Sequence, residues 1–190
     1  MVAGHFGLAA GVKAGAPTAP LWALMLASQW LDVFFVPLFL AGIETIDPVD
    51  PANPNVYGGS VIHAVYTHSL VGSVLLSALA GLVAWWLWGR RVGGVIAAVA
   101  FSHWVLDLLV HRPDLPILPG NAGGLPQLGF GLWQVPVVSA GLELILVLGG
   151  AFLYYRRASQ LPDSRRQVVT ASGVVTGLML LTLVLNVLGF

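Results

Sequence analysis

His103, Asp107 and His111 follow one another at four-residue intervals within the run 101–114, so on an α-helix they form one polar stripe. Their neighbours are almost all apolar, as is the run from Val92 that leads to them. A carboxylate and two imidazoles on one face of such a helix are costly to bury unless a metal ion, a partner charge or a water-filled cavity satisfies them. Aspartate and histidine are good ligands for zinc, manganese or iron, and the i, i+4 spacing suits ligation from one helix. The plainer alternative is a helix end reaching the membrane interface, with Pro113 ending the helix; it fits His111 better than the deeper His103 and Asp107.

Composition sets the surroundings of that stripe. Of 190 residues, 57% are hydrophobic and 8% charged, and the mean hydropathy is +0.88, which is the profile of an all-α, polytopic membrane protein. The formal net charge of zero leaves no basic surface for nucleic acid. The absence of cysteine excludes disulfides, thiolate zinc sites, iron–sulfur clusters and cysteine nucleophiles. The N-terminus lacks the charged start, short apolar core and cleavage site of a signal peptide, so the apolar spans themselves are expected to target the chain.

The apolar runs predict about five transmembrane helices in one domain, over residues 20–43, 61–88, 92–111, 134–155 and 167–190. Residues 2–16 are too short to span and read as a half-helix, with His5 near the start, Lys13 near the end, and a ridge of Gly7, Gly11 and Gly15 suited to close helix packing. The first span carries Asp32 near its middle, with Ser28 and Gln29 one turn earlier, and Pro37 offers a kink just beyond. The second carries His63, Thr67 and His68; the two histidines are roughly 140° apart on a helix, and the deeper His68 is the better candidate. Ser73, Ser77 and Gly81 form another small-residue ridge, and Trp85, Trp86 and Trp88 mark an interface. The fourth span contains Glu143, and the last has no ionisable group.

The segment 44–60, rich in Pro, Asp and Asn, reads as a soluble loop. The long Pro- and Gly-rich connection over 112–133 follows the His–Asp–His stripe directly and reads as a lid. Arg90, Arg91, Arg156, Arg157, Arg165 and Arg166 are six of the eight basic residues, and with five spans their two turns share one face. The positive-inside rule makes that face cytoplasmic, with loops 44–60 and 112–133 and the C-terminus outside. By a rise of about 1.5 Å per residue, Asp32 and His103 lie roughly 16–18 Å from the cytoplasmic ends of their spans. On the same basis His68 and Glu143 lie about 10 and 14 Å from the opposite ends of theirs. Polar groups on separate helices at a shared depth read as one site.

His5, Asp32, His68, His103, Asp107 and His111 together supply mixed nitrogen and oxygen donors, which suit one or two divalent ions with open positions for water. Zinc comes first, with manganese or iron as alternatives. Such an ion activates water near neutral pH. Asp107 and Glu143 are the candidate catalytic carboxylates; Glu143 is open to roles as ligand, as acceptor from a ligand histidine, or as general base. No nucleotide-binding glycine loop is present.

The order of these motifs resembles a bacterial inner-membrane family described as membrane-bound metal-dependent hydrolases. The resemblance rests on Gly4-His5-Phe6-Gly7, on Trp30-Leu31-Asp32, on Thr67-His68-Ser69 at a helix start, and on His103-Trp104-Val105-Leu106-Asp107. The run Leu108–Gly120 also resembles a subgroup of small membrane proteins. The likeness covers roughly residues 5–120. Where that family often carries two aspartates in a Pro-Asp-x-Asp arrangement, this chain has Asp32 alone.

What the resemblance implies, taken with the depth of the site, is hydrolysis of an ester or phosphoester in a membrane lipid or lipid-linked substrate. A small metal-ion or proton transporter using the same ligands is the alternative, although no inverted repeat is evident. A bis-histidine haem held by His68 and His103 is a third reading, disfavoured by three buried acids.

Overall fold

The computed structural model describes residues 1–160 and 165–189, with only the backbone of 165–168 described. In chain order it contains α1 (Val2–Gly15), α2 (Leu21–Ser28), α3 (Trp30–Leu40), β1 (Thr45–Pro48), β2 (Ser60–His63), α4 (Leu70–Trp88), α5 (Arg90–Val110), α6 (Pro136–Ala158) and α7 (Arg165–Leu188). Four helices, α4, α5, α6 and the Val169–Leu188 part of α7, are long and apolar enough to cross a membrane, and α2 with α3 passes the same test as a pair bent by 49°. The all-α, polytopic architecture read from the apolar runs is the one the chain adopts.

Helix α1 is the expected half-helix. Its 14 residues rise about 21 Å, short of a hydrocarbon core of about 30 Å. It runs along α6, where Gly7 meets the backbone of Leu146 and Val147, and Gly150 meets the carbonyl of Gly7. Glycine is needed here because two backbones touch. Gly15, the last of the ridge, faces open space. The second ridge is buried as expected, and Gly81 packs against Gly93 and Ala97 of α5.

Arg90, Arg91, Arg156 and Arg157 lie at one end of the bundle, here the arginine end; the hairpin β1–β2 and the 111–135 connection lie at the other, where Gly189 sits against Asn55. Residues 161–164, and the side chains of Arg165 and Arg166 in the second basic turn, lie outside the described residues, as does Phe190.

Three expectations are corrected. The first span breaks at Gln29 and not at Pro37, which sits inside α3. The break is made by tertiary contacts: the Ser28 carbonyl accepts from His103, and Trp30 Nε1 donates to the Leu76 carbonyl. The second span is helical only from Leu70, because Ser69 caps α4 by accepting from Gly72 N, and residues 60–63 pair instead with 45–48. His68 therefore stands in the turn before the helix. The connection after α5 is sewn in rather than free: Leu70 N and Val71 N, open donors at the start of α4, bond the carbonyls of Pro116 and Ile117.

Candidate metal centre

Four pieces of backbone deliver the candidate donors to one place. The first turn of α1 brings His5, the α2–α3 bend brings Asp32, the turn before α4 brings His68, and α5 brings His103, Asp107 and, as its C-cap, His111. All are buried except Asp32, whose side chain is 37% exposed and faces a cavity.

Asp107 Oδ2 lies 3.0 Å from His103 Nε2, 3.7 Å from His68 Nε2 and 3.8 Å from His111 Nε2. His68 Nε2 is 3.3 Å from His103 Nε2 and 3.5 Å from Asp32 Oδ1, which is itself 3.7 Å from His103 Nε2. Donors bound at about 2.1 Å to one ion lie roughly 3.0–3.4 Å apart as neighbours in octahedral or tetrahedral sites. Two of the six spacings, 3.0 and 3.3 Å, fall in that range, and the other four, 3.5–3.8 Å, lie just beyond it. Two overlapping triads can hold an ion, His5–His103–Asp107 and Asp32–His68–His103. A buried His/Asp group able to bind metal is therefore present.

Hydrogen bonds on the far side of each ring fix which nitrogen faces the centre. His103 Nδ1 lies 2.7 Å from the Ser28 carbonyl, which can only accept, so Nδ1 carries the proton and Nε2 offers its lone pair. His111 Nδ1 donates in the same way to Asp114 Oδ1 at 2.9 Å. For His68 the orienting group is a chain of three. Glu44 accepts from Tyr66 N, Thr67 N and Thr67 Oγ1 at 2.7, 3.0 and 2.8 Å. The Thr67 hydroxyl, having given its proton to Glu44, accepts from His68 Nδ1 at 2.9 Å. Neither Glu44 nor Asp114 was singled out from the sequence as an orienting residue. Thr67→Val removes the acceptor for His68 while keeping shape, and metal affinity is expected to fall about 10–100-fold. Competition with a fluorescent chelator measures it; unchanged affinity would mean that Thr67 does not orient a ligand.

His5 differs from the other three. Its Nε2 lies 3.1 Å from Asp107 Oδ1 and its ring stacks on His103 with centroids 3.8 Å apart, but its buried Nδ1 has no partner. If Nε2 gave its lone pair to a metal, Nδ1 would be an orphaned buried donor, which is rare. If Nε2–H donates to Asp107, the orphan is only an acceptor. The second arrangement is the better satisfied, and makes His5 a support for Asp107.

Glu143 is fully buried and accepts from the Tyr57 hydroxyl at 2.6 Å and from Gly4 N, one of the open N–H groups at the start of α1, at 3.0 Å. Burial and the adjacent Glu143 carboxylate push the Tyr57 phenol far up, so Tyr57 remains the donor. A cavity of about 640 Å³ is lined by Asp32, His68, His103, Asp107, His111 and Glu143 on one side. Phe35, Val36, Ile46, Val56 and Trp133 line it too, together with the polar Asn55, Ser60 and Asn186.

His63, by contrast, stands on β2 in an exposed pair with Asp47 at 3.2 Å, away from the centre. The bis-histidine haem reading fails on geometry: His68 and His103 Nε2 are in hydrogen-bond range with carboxylates beside them, which leaves no room for a porphyrin between. Comparison with protein-family models, curated proteins and solved structures gives no match for this chain.

Proposed function

We propose that this protein is an integral-membrane hydrolase with one catalytic divalent ion, zinc first, acting on an ester or phosphoester of a lipid or lipid-linked substrate. The observation that carries the reading is the set of inward-facing Nε2 atoms of His68, His103 and His111, each fixed by a hydrogen bond at Nδ1, around Asp107. A single ion is favoured because both triads need His103, whose Nε2 has one lone pair. The triad with Asp32 and His68 has anchored rings and lines the cavity, and so is the better site.

A divalent ion held there supplies Lewis acidity toward water and toward a carbonyl or phosphoryl oxygen. Glu143 is the cavity carboxylate outside that donor set. We assign it the proton transfer, from attacking water to leaving group, with Tyr57 and Gly4 N holding its oxygens in place. Asp107 binds the ion and, through His5, stays oriented. The apolar wall of Phe35, Val36 and Ile46 suits a lipid chain.

By the positive-inside rule the arginine end faces the cytoplasm of a bacterial inner membrane, and the cavity opens on the outer side. The fully buried Leu24 and Ala100, with Val99, fill the bundle toward the arginine end. That packing favours an enzyme over a transporter, which needs a path to both faces. The test is elemental analysis of detergent-purified protein together with hydrolysis of fluorogenic lipid esters and phosphoesters. About one zinc, manganese or iron per chain is expected, with turnover lost on chelation and restored by the ion. No bound metal after reconstitution would remove the reading; metal-dependent uptake into proteoliposomes without hydrolysis would replace it with transport.

A further inference from the structure

Positive charge is scarce in the lining of the cavity. A single divalent ion is neutralised by Asp32 and Asp107, and Glu143 adds a third carboxylate to the same lining. Among the described residues, no lysine or arginine side chain lines the cavity. Arg112, the basic residue next to it in the chain after His111, directs Nη1 to the carbonyls of Gly58 and Ser60 at 2.6 and 3.0 Å. The Met1 nitrogen, where it carries a charge, lies 3.8 Å from Asp107 Oδ1 and is paired there. The N-terminus of α1, the natural seat for an anion at a helix start, is filled by Glu143.

From this lining, three carboxylates and no lysine or arginine, we propose that the group cleaved is uncharged: a carboxylic ester on an apolar chain, not a phosphoester. The inference rests on the hydrolase reading and narrows its substrate class. A phosphodiester brings one negative charge and a phosphomonoester up to two, into a site lined by three carboxylates and by no lysine or arginine, where like charges repel. An ester carbonyl adds no charge on binding. Its acyl chain has Phe35, Val36, Ile46 and Val56 to lie against, and Val36 and Ile46 are themselves largely exposed on the outer surface. In hydrolysis, water adds to the carbonyl carbon, Glu143 carries one of its protons to the departing alkoxide as the C–O bond to the alcohol breaks, and the acid formed leaves as a carboxylate with its other proton lost to solvent. No oxidant or co-reactant is needed.

Two ligands of equal chain length separate the possibilities: a long-chain trifluoromethyl ketone, neutral and ester-like, and an alkyl phosphonate. Calorimetric titration of the zinc-loaded protein in detergent micelles is expected to give at least about tenfold tighter binding of the ketone. Asn55→Lys places a cation in the cavity lining and is expected to narrow that ratio by about tenfold in favour of the phosphonate. Equal or tighter phosphonate binding to the unaltered protein overturns the inference, and so does failure of both ligands to bind. Turnover is scored separately. Ketone binding with no ester hydrolysis leaves the ligand class standing and removes the hydrolase; phosphoester turnover with tight phosphonate binding does the reverse.

Discussion

Asp107→Asn is expected to empty the metal centre while leaving the protein folded. Asp107 touches four of the other donors: Oδ1 receives His5 at 3.1 Å, and Oδ2 lies 3.0 Å from His103 with His68 and His111 just beyond. Asparagine has the same outline. Its amide nitrogen would face repulsion on the Oδ1 side, from His5 Nε2–H, and a good acceptor on the Oδ2 side, the His103 lone pair. It therefore settles toward His103 and blocks the lone pair the ion needs. Removing an orienting neighbour of a metal ligand costs about 10–100-fold in affinity, and removing a charged ligand costs more. Metal is expected to drop below about a tenth of the unaltered stoichiometry, an affinity loss of at least 100-fold. Hydrolysis should vanish with it, while gel filtration and circular dichroism stay unchanged. A variant that keeps its full metal would take Asp107 out of the donor set.

The largest effect on folding is expected at Gly150, on α6. A Cβ there would run into the Gly7 carbonyl and its neighbouring backbone atoms, and neither helix has a flexible side chain to move aside. Overpacking ordinarily costs about 1–3 kcal/mol, and a backbone-to-backbone clash sits at or above the top of that range. Gly150→Leu is expected to lift α1 away from α6, break the bond from Gly4 N to Glu143, and lower the thermal midpoint by several degrees or prevent accumulation. Gly11→Ala is the control. Its Cβ would meet Gly150 Cα at 3.5 Å and Leu153 Cδ1 at 3.6 Å, ordinary contacts, so a neutral or slightly stabilising effect of under about 1 kcal/mol is expected. Equal behaviour of the two variants would mean that α1 and α6 do not pack as closely as described.

The spans were legible because each is a long apolar run, and the stripe of His103, Asp107 and His111 because a helix repeats every 3.6 residues. His5, Asp32 and His68 could be joined to it from depth alone, although His68 arrives from a turn and not from a helix. What stayed hidden depends on contacts between distant segments. Glu44 lies at the edge of a Pro- and Asp-rich stretch and looks solvated, yet it is fully buried because Gly42, at φ +69°, ends α3 and turns the chain inward. The break at Gln29 has no proline or glycine to announce it, since the Ser28 carbonyl is drawn off by a histidine 75 positions away. Tyr57 and Asp114 are found only once the hairpin is folded over the end of α5 and α6.

The half-helix has a consequence for biogenesis. Its cradle on α6 lies late in the chain, with Gly4 and Glu143 separated by 139 positions. During synthesis α1 emerges first, and its contacts with α2 and α5 can form before its cradle on α6 is inserted. His5 is thus made before the rest of the centre, and its side-chain partners, His103 and Asp107 on α5, also precede the α6 cradle. A nascent chain stalled before α6 carries Asp32, His68, His103 and Asp107 without Glu143, which lines the same cavity.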